Sequence, residues 1–149
     1  MNVPGVSGLA DWQRERLRGS VGGAYYDWAG VRLVELGPGT SRLVFRPRSE
    51  MLTPWNTLNG SVLNGLLELP SFLALLPELR EDEQPVTNDL FLQHLRPLPG
   101  DAEYVLEGRL IRRGRSMAWT EASASVDGKP TTLARITKTL VTAGTGTSG

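Results

Sequence analysis

One long helical pattern, residues 61–76, constrains the fold of this chain more than any other feature. Its apolar side chains point to most sides of the helix: Leu63, Leu66, Leu67, Leu69, Phe72, Leu73, Leu75 and Leu76. A helix with this pattern must be buried on most sides, whereas a surface helix has a single apolar stripe. Pro70 removes a backbone hydrogen bond, so the sequence predicts a kink or break just after Glu68, where Pro70 can begin a second helical piece. We therefore expect a core helix that the rest of the chain surrounds.

Most of the remaining chain has the pattern of β-strands. Before the central helix, strand-like runs at 31–36 and 41–46 flank the turn Gly37–Pro38–Gly39–Thr40, which indicates a hairpin. A short amphipathic helix is expected before them, near residues 9–19. After the central helix, further strands are expected at 86–95, 104–111, 116–126 and 131–142. Hairpin-connected strands and one long apolar helix predict an α+β domain, in which an antiparallel sheet is wrapped around the helix.

Length and composition limit the remaining possibilities. The 149 residues have the size of a single domain, 1–149, with a loose start, an ordered core at about 9–142 and a flexible Gly/Thr/Ser tail at 143–149. The absence of cysteine excludes a thiolate metal site and a cysteine nucleophile, and a single histidine excludes a histidine-rich metal site. The formal charge of zero gives no field that attracts nucleic acid or an anionic membrane. Without a secretory signal or an apolar run near 20 residues, we expect a soluble, cytoplasmic protein.

The polar residues of the central helix recur at intervals of three or four positions. They are Ser61, Asn64, Glu68 and Ser71. This spacing places them on one narrow stripe. Because the stripe has small neutral groups and one carboxylate, it suits a cleft in which Glu68 serves as general base or nucleophile. The alternative is an ordinary stripe that faces solvent.

The start of the helix offers a second candidate feature. Asn59–Gly60–Ser61 leaves free backbone N–H groups and the positive end of the helix dipole facing the preceding loop. Such groups can bind the negatively charged oxygen that develops on a carbonyl under attack. An ordinary N-cap formed by Asn59 or Ser61 is compatible with this hypothesis. Glu68 lies about two and a half turns further along the same wall.

In order and spacing, residues 30–142 resemble the hotdog thioesterases of the phenylacetate-degradation type, within the acyl-CoA thioesterase superfamily. Asn59–Gly60–Ser61 stands where the family usually has His-Gly-Gly, and Glu68 falls at the family's catalytic Asp or Glu. The other matching segments are the hairpin at 30–43, the strand at 86–97 and the basic turn at 113–116.

This resemblance implies hydrolysis of an acyl-CoA or similar thioester by a homodimer or homotetramer with active sites at the dimer interface. Glu68 would activate water or attack the thioester carbonyl. The N–H of Gly60 would bind the carbonyl oxygen, and Thr87 of the partner chain would lie near the attacking water. No cofactor or metal is implied, since coenzyme A enters as part of the substrate.

Candidate substrate-binding residues come from the same resemblance. Asn59 and Ser61 replace the family's His and second Gly, and an upstream Asn of the family falls at Thr53, with Asn56 near enough to substitute. For the coenzyme phosphates the candidates are Arg113 and Arg115, because the guanidinium donor fork fits phosphate. A solvated hairpin tip is the alternative for these arginines.

The remaining histidine and aromatic residues are better explained by structural roles. His94 shares a strand face with apolar residues, so we expect a neighbour to satisfy its ring. Tyr25, Tyr26, Trp28 and Trp55 are expected to anchor the core or an interface, although Trp55 could instead line an acyl pocket. Two function hypotheses follow. One is a thioester hydrolase, and the other is a non-catalytic hotdog protein that binds an acyl ligand.

Overall fold

One antiparallel sheet of six strands dominates the computed structural model, which describes residues 2–142. The strands are β1 (Arg32–Gly37), β2 (Thr40–Phe45), β3 (Glu83–His94), β4 (Tyr104–Arg113), β5 (Met117–Val126) and β6 (Lys129–Thr142). Their order across the sheet is β1-β2-β4-β5-β6-β3, so β1 and β3 are its edges. The hairpin predicted before the helix and the strands predicted after it are all present.

Four α-helices accompany the sheet within residues 2–142. They are α1 (Asp11–Val21), α2 (Ala24–Ala29), α3 (Gly60–Leu66) and α4 (Glu68–Leu75), with short 3-10 turns at Val6–Gly8, Ser49–Met51 and Leu76–Glu78. The run Gly60–Glu78 has 19 residues and a mean hydropathy of 1.3, which is long and apolar enough to span a membrane. The expectation that no run approaches this length is therefore wrong. In the fold 56% of this run is buried, so its apolarity is that of a core helix.

The central helix is broken on the N-terminal side of Glu68, at Leu67. This corrects the predicted break after Glu68. Pro70 lies in the first turn of α4, where its missing N–H would have no helical partner in any case. Glu68 is consequently the first residue of the second helical piece.

Small residues on the inner face of the sheet allow the central helix to lie close against it. A Cβ placed on Gly108 of β4 would come within 2.0 Å of the Pro70 carbonyl oxygen, so only glycine fits there. The Ser41 hydroxyl donates a hydrogen bond to that same oxygen at 2.7 Å. Alternate β5 residues, from Ala118 to Ala124, are buried beneath the helix. The sheet thus wraps around the helix, as expected.

The N-terminal region differs from the prediction in two ways. Residues 2–8 are attached to the fold and not loose, because Val6 is buried and the Leu36 N–H donates to the Pro4 carbonyl at 3.0 Å. The second helix, α2, was not predicted, since its aromatic residues have no periodic pattern over only six positions. The predicted flexible tail, 143–149, lies outside the described residues.

Candidate active site

Glu68 lies in a cleft of about 390 Å³ between α4 and the α1–α2 pair. Small residues of the α1–α2 connection, including Gly23, line one side, and the rings of Tyr25, Tyr26 and Phe72 line another. Tyr25 brings α2 against α3, because a Cβ at Gly65 would lie only 2.9 Å from its hydroxyl oxygen. The cleft therefore combines one carboxylate with largely apolar walls.

Two donors from the sheet converge on a single oxygen of Glu68. Thr87 Oγ1 donates to Glu68 Oε2 at 2.9 Å, and Lys138 Nζ donates to the same oxygen at 2.7 Å. Lys138 also donates to Thr87 Oγ1 at 2.8 Å, which closes a triangle of polar atoms. The Lys138 side chain is only 5% exposed, compared with 27% for Glu68. The carboxylate is therefore fixed from beneath while remaining accessible from the cleft.

A β-bulge in β3 aims Thr87 at the helix. Thr87 pairs with Lys138 across the β3–β6 ladder, but the register then shifts between Thr87 and Asp89. After the shift, Leu90 packs against the core while Phe91 is exposed. In uninterrupted alternation Thr87 would share the outward face of Phe91. The extra residue reverses this and turns Thr87 inward toward Glu68. The contact lies within one chain, which corrects the expectation that Thr87 reaches over from a partner.

Burial and the charge of Glu68 both act on the pKa of Tyr26 in the cleft. Burial raises the pKa of its phenol, and the negative charges of Glu68 and, less strongly, Tyr25 raise it further, to about 12. Burial also raises the pKa of Tyr25. Both phenols therefore remain protonated at neutral pH and present hydroxyl groups near the carboxylate.

The N-terminus of α3 has the ordinary cap that was the compatible alternative. Asn59 Oδ1 accepts hydrogen bonds from the Ser61 N–H at 3.0 Å and from the Ser61 hydroxyl at 2.7 Å. A Cβ at Gly60 would lie 3.1 Å from His94 Nε2, so glycine admits this histidine. His94 Nδ1 has the expected neighbour, Thr132 Oγ1, at 2.9 Å. Glu68 is eight residues beyond Gly60, about 12 Å along the helix. Within one chain, the predicted carboxylate and the predicted oxyanion donor therefore lie far apart.

The other predicted substrate-binding residues lie outside the cleft of Glu68. Thr53 and Asn56 belong to the turn before α3, where the Thr53 and Thr57 hydroxyls are 2.7 Å apart and Asn56 has a left-handed φ of 58°. Trp55 in the same turn is 81% exposed, so it is not a core anchor.

The two candidate phosphate-binding arginines have different surroundings. Arg113 pairs with the buried carboxylate of Glu83 and also donates to the Gly114 carbonyl. This pairing occupies one end of its guanidinium, so the structure does not leave Arg113 free for a phosphate. Arg115 is exposed at the tip of the same turn and keeps that possibility.

Lys138 was not among the residues predicted from sequence, although the sequence contains a usable signal. In β6 the buried positions alternate, and Lys138 occupies one of them between Ile136 and Leu140. A lysine in register with core residues requires a negative partner, because an unpaired buried ammonium is costly. The identity of that partner needs the fold, since Glu68 is 70 positions away in sequence.

A metal site has no support among residues 2–142, where no group of three or more His, Asp or Glu side chains is placed to hold an ion. The chemistry available in the cleft is that of a carboxylate, an ammonium and hydroxyl groups.

Solved structures with a similar architecture include proteins named as thioesterases. A thioesterase from Pseudomonas aeruginosa superposes with a TM-score of 0.76 at 24% identity, covering 87% of this chain and 94% of the other. A thioesterase family protein from Silicibacter pomeroyi gives a TM-score of 0.80 at 17% identity, covering 88% and 99%. The chain has the hotdog fold.

A third similar structure has a name that refers to phenylacetic acid degradation, as does the family that residues 30–142 resemble. A phenylacetic acid degradation-related protein from Ralstonia eutropha gives a TM-score of 0.78 at 23% identity, covering 87% of this chain and 99% of the other. No protein-family model and no curated protein matches the sequence. The hotdog fold and the likeness to thioesterase structures are therefore shown by architecture, at low sequence identity.

Proposed function

We propose that this hotdog protein hydrolyses an acyl thioester, with Glu68 as general base or nucleophile. The observation that carries the proposal is the carboxylate at the cleft, held on one oxygen by Thr87 and Lys138 and open on its other side. A fixed carboxylate beside apolar walls suits attack on the carbonyl of an apolar acyl group. Coenzyme A, or another thiol carrier, would leave as the free thiol, and no cofactor is needed.

As a general base, Glu68 would take a proton from water while the oxygen of that water attacks the thioester carbonyl carbon. Collapse of the tetrahedral intermediate breaks the carbon–sulfur bond, releasing the carboxylic acid and the thiol. As a nucleophile, Glu68 would instead attack the carbonyl carbon and form an acyl anhydride, while the carbon–sulfur bond breaks and the thiol leaves as the thiolate. Water would then cleave the anhydride, which releases the carboxylic acid, regenerates Glu68 and supplies the proton of the thiol. Both routes need a donor for the negatively charged oxygen of the intermediate.

We infer that a second copy supplies this donor. The N–H of Gly60 is about 12 Å from Glu68 along the same helix, too far to reach one carbonyl group. Strand β3 is an edge of the sheet, and its Phe91 is 63% exposed. An unpaired sheet edge of this kind is a template on which a strand of another chain can pair. A homodimer, alone or within a homotetramer, would place Gly60 of one copy near Glu68 of the other.

The second candidate is a protein that binds an acyl ligand without turnover. Its support is the ion pair itself, because Lys138 already neutralises the charge of Glu68. Asn59 also supports this second candidate, since its side chain caps α3 and does not face the cleft. Tight binding of an acyl-CoA that is recovered intact would establish this function instead.

The deciding experiment is a panel of acyl-CoA substrates, followed by release of free thiol. Wild-type protein, Glu68→Gln and Glu68→Ala are compared, and Glu15→Gln is the control because Glu15 is an exposed glutamate of α1. We expect full turnover by the wild type and the control, and greatly reduced turnover by both Glu68 variants. Full activity in Glu68→Ala would exclude the proposed role of this carboxylate.

The role of the second copy is tested by mixing two inactive variants. Gly60→Pro removes the N–H at the first helical position. Gly60→Ala is the matched control, because it brings the same Cβ against His94 but retains the N–H. Equal amounts of Gly60→Pro and Glu68→Gln should form heterodimers with one intact site, restoring about a quarter of wild-type activity. Mixtures without any recovery would show that both residues act in one chain.

A further inference from the structure

The most unusual side chain beside the proposed active site is Lys138. It lies on the inner face of β6, where its neighbours in the alternation, Ile136 and Leu140, belong to the core. Its ammonium is almost completely removed from water and bonds to Glu68 and Thr87. A buried ammonium in this position is costly unless it is paired with a negative charge and hydrogen-bonded.

The contacts of Lys138 distinguish the two oxygens of Glu68. Both hydrogen bonds from the sheet reach Oε2. No hydrogen bond from residues 2–142 reaches Oε1. Because a carboxylate is planar, fixing Oε2 from beneath also fixes the direction of Oε1 in the cleft. The unbonded oxygen is then the one that can meet water or a thioester.

The electrostatics of the cleft favour the same assignment. Glu68 and Lys138 are the charged residues of its lining, and the other lining residues are neutral. An unpaired carboxylate would repel the phosphate groups of an approaching coenzyme thioester, whereas the ion pair has no net charge. Lys138 therefore neutralises the carboxylate without covering its open oxygen.

We propose that Lys138 is a positioning residue, which holds Oε2 of Glu68 together with Thr87 so that Oε1 is the oxygen that reacts. This inference rests on the proposed hydrolase activity. It concerns a residue that transfers no proton and forms no bond to the substrate. The proton of water, or the acyl group, goes to Oε1 of Glu68 in either route.

Two substitutions at Lys138 test this role directly. Lys138→Met keeps an unbranched chain of similar length without the charge, and Lys138→Arg keeps the charge. Misplacing a catalytic group by about 1 Å costs on the order of 100-fold in rate. We expect Lys138→Met to lower kcat by about that factor, and to raise KM by a smaller factor because the unpaired carboxylate repels the coenzyme phosphates. Lys138→Arg should recover part of the loss, because its guanidinium can still donate to Oε2. The matched control is Lys129→Met, at the exposed other end of β6.

A double-mutant cycle separates positioning from a general effect on folding. If Lys138 acts through Glu68, adding Lys138→Met to Glu68→Gln should lower kcat no further than Glu68→Gln alone. Thermal unfolding of all variants establishes whether each is folded. If Lys138→Met alone fails to fold, the double variant still provides the test, because it removes both members of the ion pair.

The outcomes separate this inference from the proposed function. A wild type that hydrolyses no thioester overturns the function, and the role of Lys138 with it. An active wild type overturns the positioning role alone if Lys138→Met retains its kcat. The positioning role also fails if the effects of Lys138→Met and Glu68→Gln multiply. A fall in kcat with partial recovery in Lys138→Arg and no further loss in the double variant supports it.

Discussion

Glu68 and Glu83 are both paired with cationic side chains, yet their surroundings differ. The carboxylate of Glu83 is 1% exposed, and both of its oxygens are occupied: Arg80 and Arg113 bond to Oε1, and the Arg80 N–H donates to Oε2 at 3.0 Å. Glu68 is 27% exposed, and the hydrogen bonds that it accepts within residues 2–142 all reach Oε2. A carboxylate with both oxygens occupied can only stabilise structure. One with an oxygen open to a cleft can also react.

This comparison is tested most strongly at Glu68. We expect Glu68→Gln to lower kcat for thioester hydrolysis by about 1000-fold, within the range for loss of a general base. The free energy of unfolding should also fall, by about 3 kcal/mol, because the neutral glutamine leaves the buried ammonium of Lys138 without a negative partner. Steady-state kinetics and chemical denaturation measure the two effects. If Glu68→Gln lost stability but kept its kcat, the distinction between the two glutamates would fail.

At Glu83 we expect a loss of stability without a loss of activity. Glu83→Gln removes one charge of a buried cluster and should lower the free energy of unfolding by about 3 kcal/mol. Activity per folded molecule should remain unchanged, since Glu83 does not line the cleft. Denaturant titrations, with kinetics measured well below the transition, check both statements. Glu103→Gln is the control, because its ion pair with Arg46 is exposed and of little energetic value.

Thr87 should have a smaller effect than Glu68. Thr87→Val removes one hydrogen bond to the reactive carboxylate while keeping the β-branched shape. We expect kcat to fall by about 10-fold, the equivalent of one such bond. Thr87→Ser retains the hydroxyl and should remain close to the wild type. Equal rates for the valine and serine variants would contradict a role for this hydroxyl.

The smallest expected effect is a pH dependence of stability. Burial alone would raise the pKa of Glu83, but the hydrogen bonds and charges of Arg113 and Arg80 outweigh it and hold that pKa below 4.5. The unfolded state therefore binds this proton more readily than the folded state. The contribution of Glu83 is present above about pH 4.5 and is lost as the pH falls through its lower folded pKa. Denaturation curves between pH 6 and pH 3 should show a shallower decline in Glu83→Gln.

Much of the architecture was predictable because it follows from local periodicity. The apolar helix at 61–76, the alternating pattern of β5 and the hairpin around Gly39 each depend on residues close in sequence. These patterns correspond to helix and strand geometry, which burial then selects. The break in the central helix was predicted just after Glu68 but lies at Leu67. Pro70 then falls in the first turn of the second helical piece, where its backbone nitrogen has no helical hydrogen bond to lose.

The candidate site was predictable only in part. Helical spacing made Glu68 a candidate, and the resemblance to hotdog thioesterases favoured it. The direction of Thr87 could not be read from the strand pattern, because a bulge between Thr87 and Asp89 reverses the alternation. The pairing of Arg113 with Glu83 was equally hidden, since it joins β4 to the start of β3.

The sequence by itself determined that a leucine-rich helix must be surrounded by strands and that Glu68 is a carboxylate on that helix. It also placed a lysine, Lys138, at a buried position of β6. Only the tertiary structure decided that these two side chains meet, because their contact depends on the register of strands far apart in sequence. Packing of the sheet against the helix brings the ammonium to one oxygen of the carboxylate and leaves the other open to the cleft.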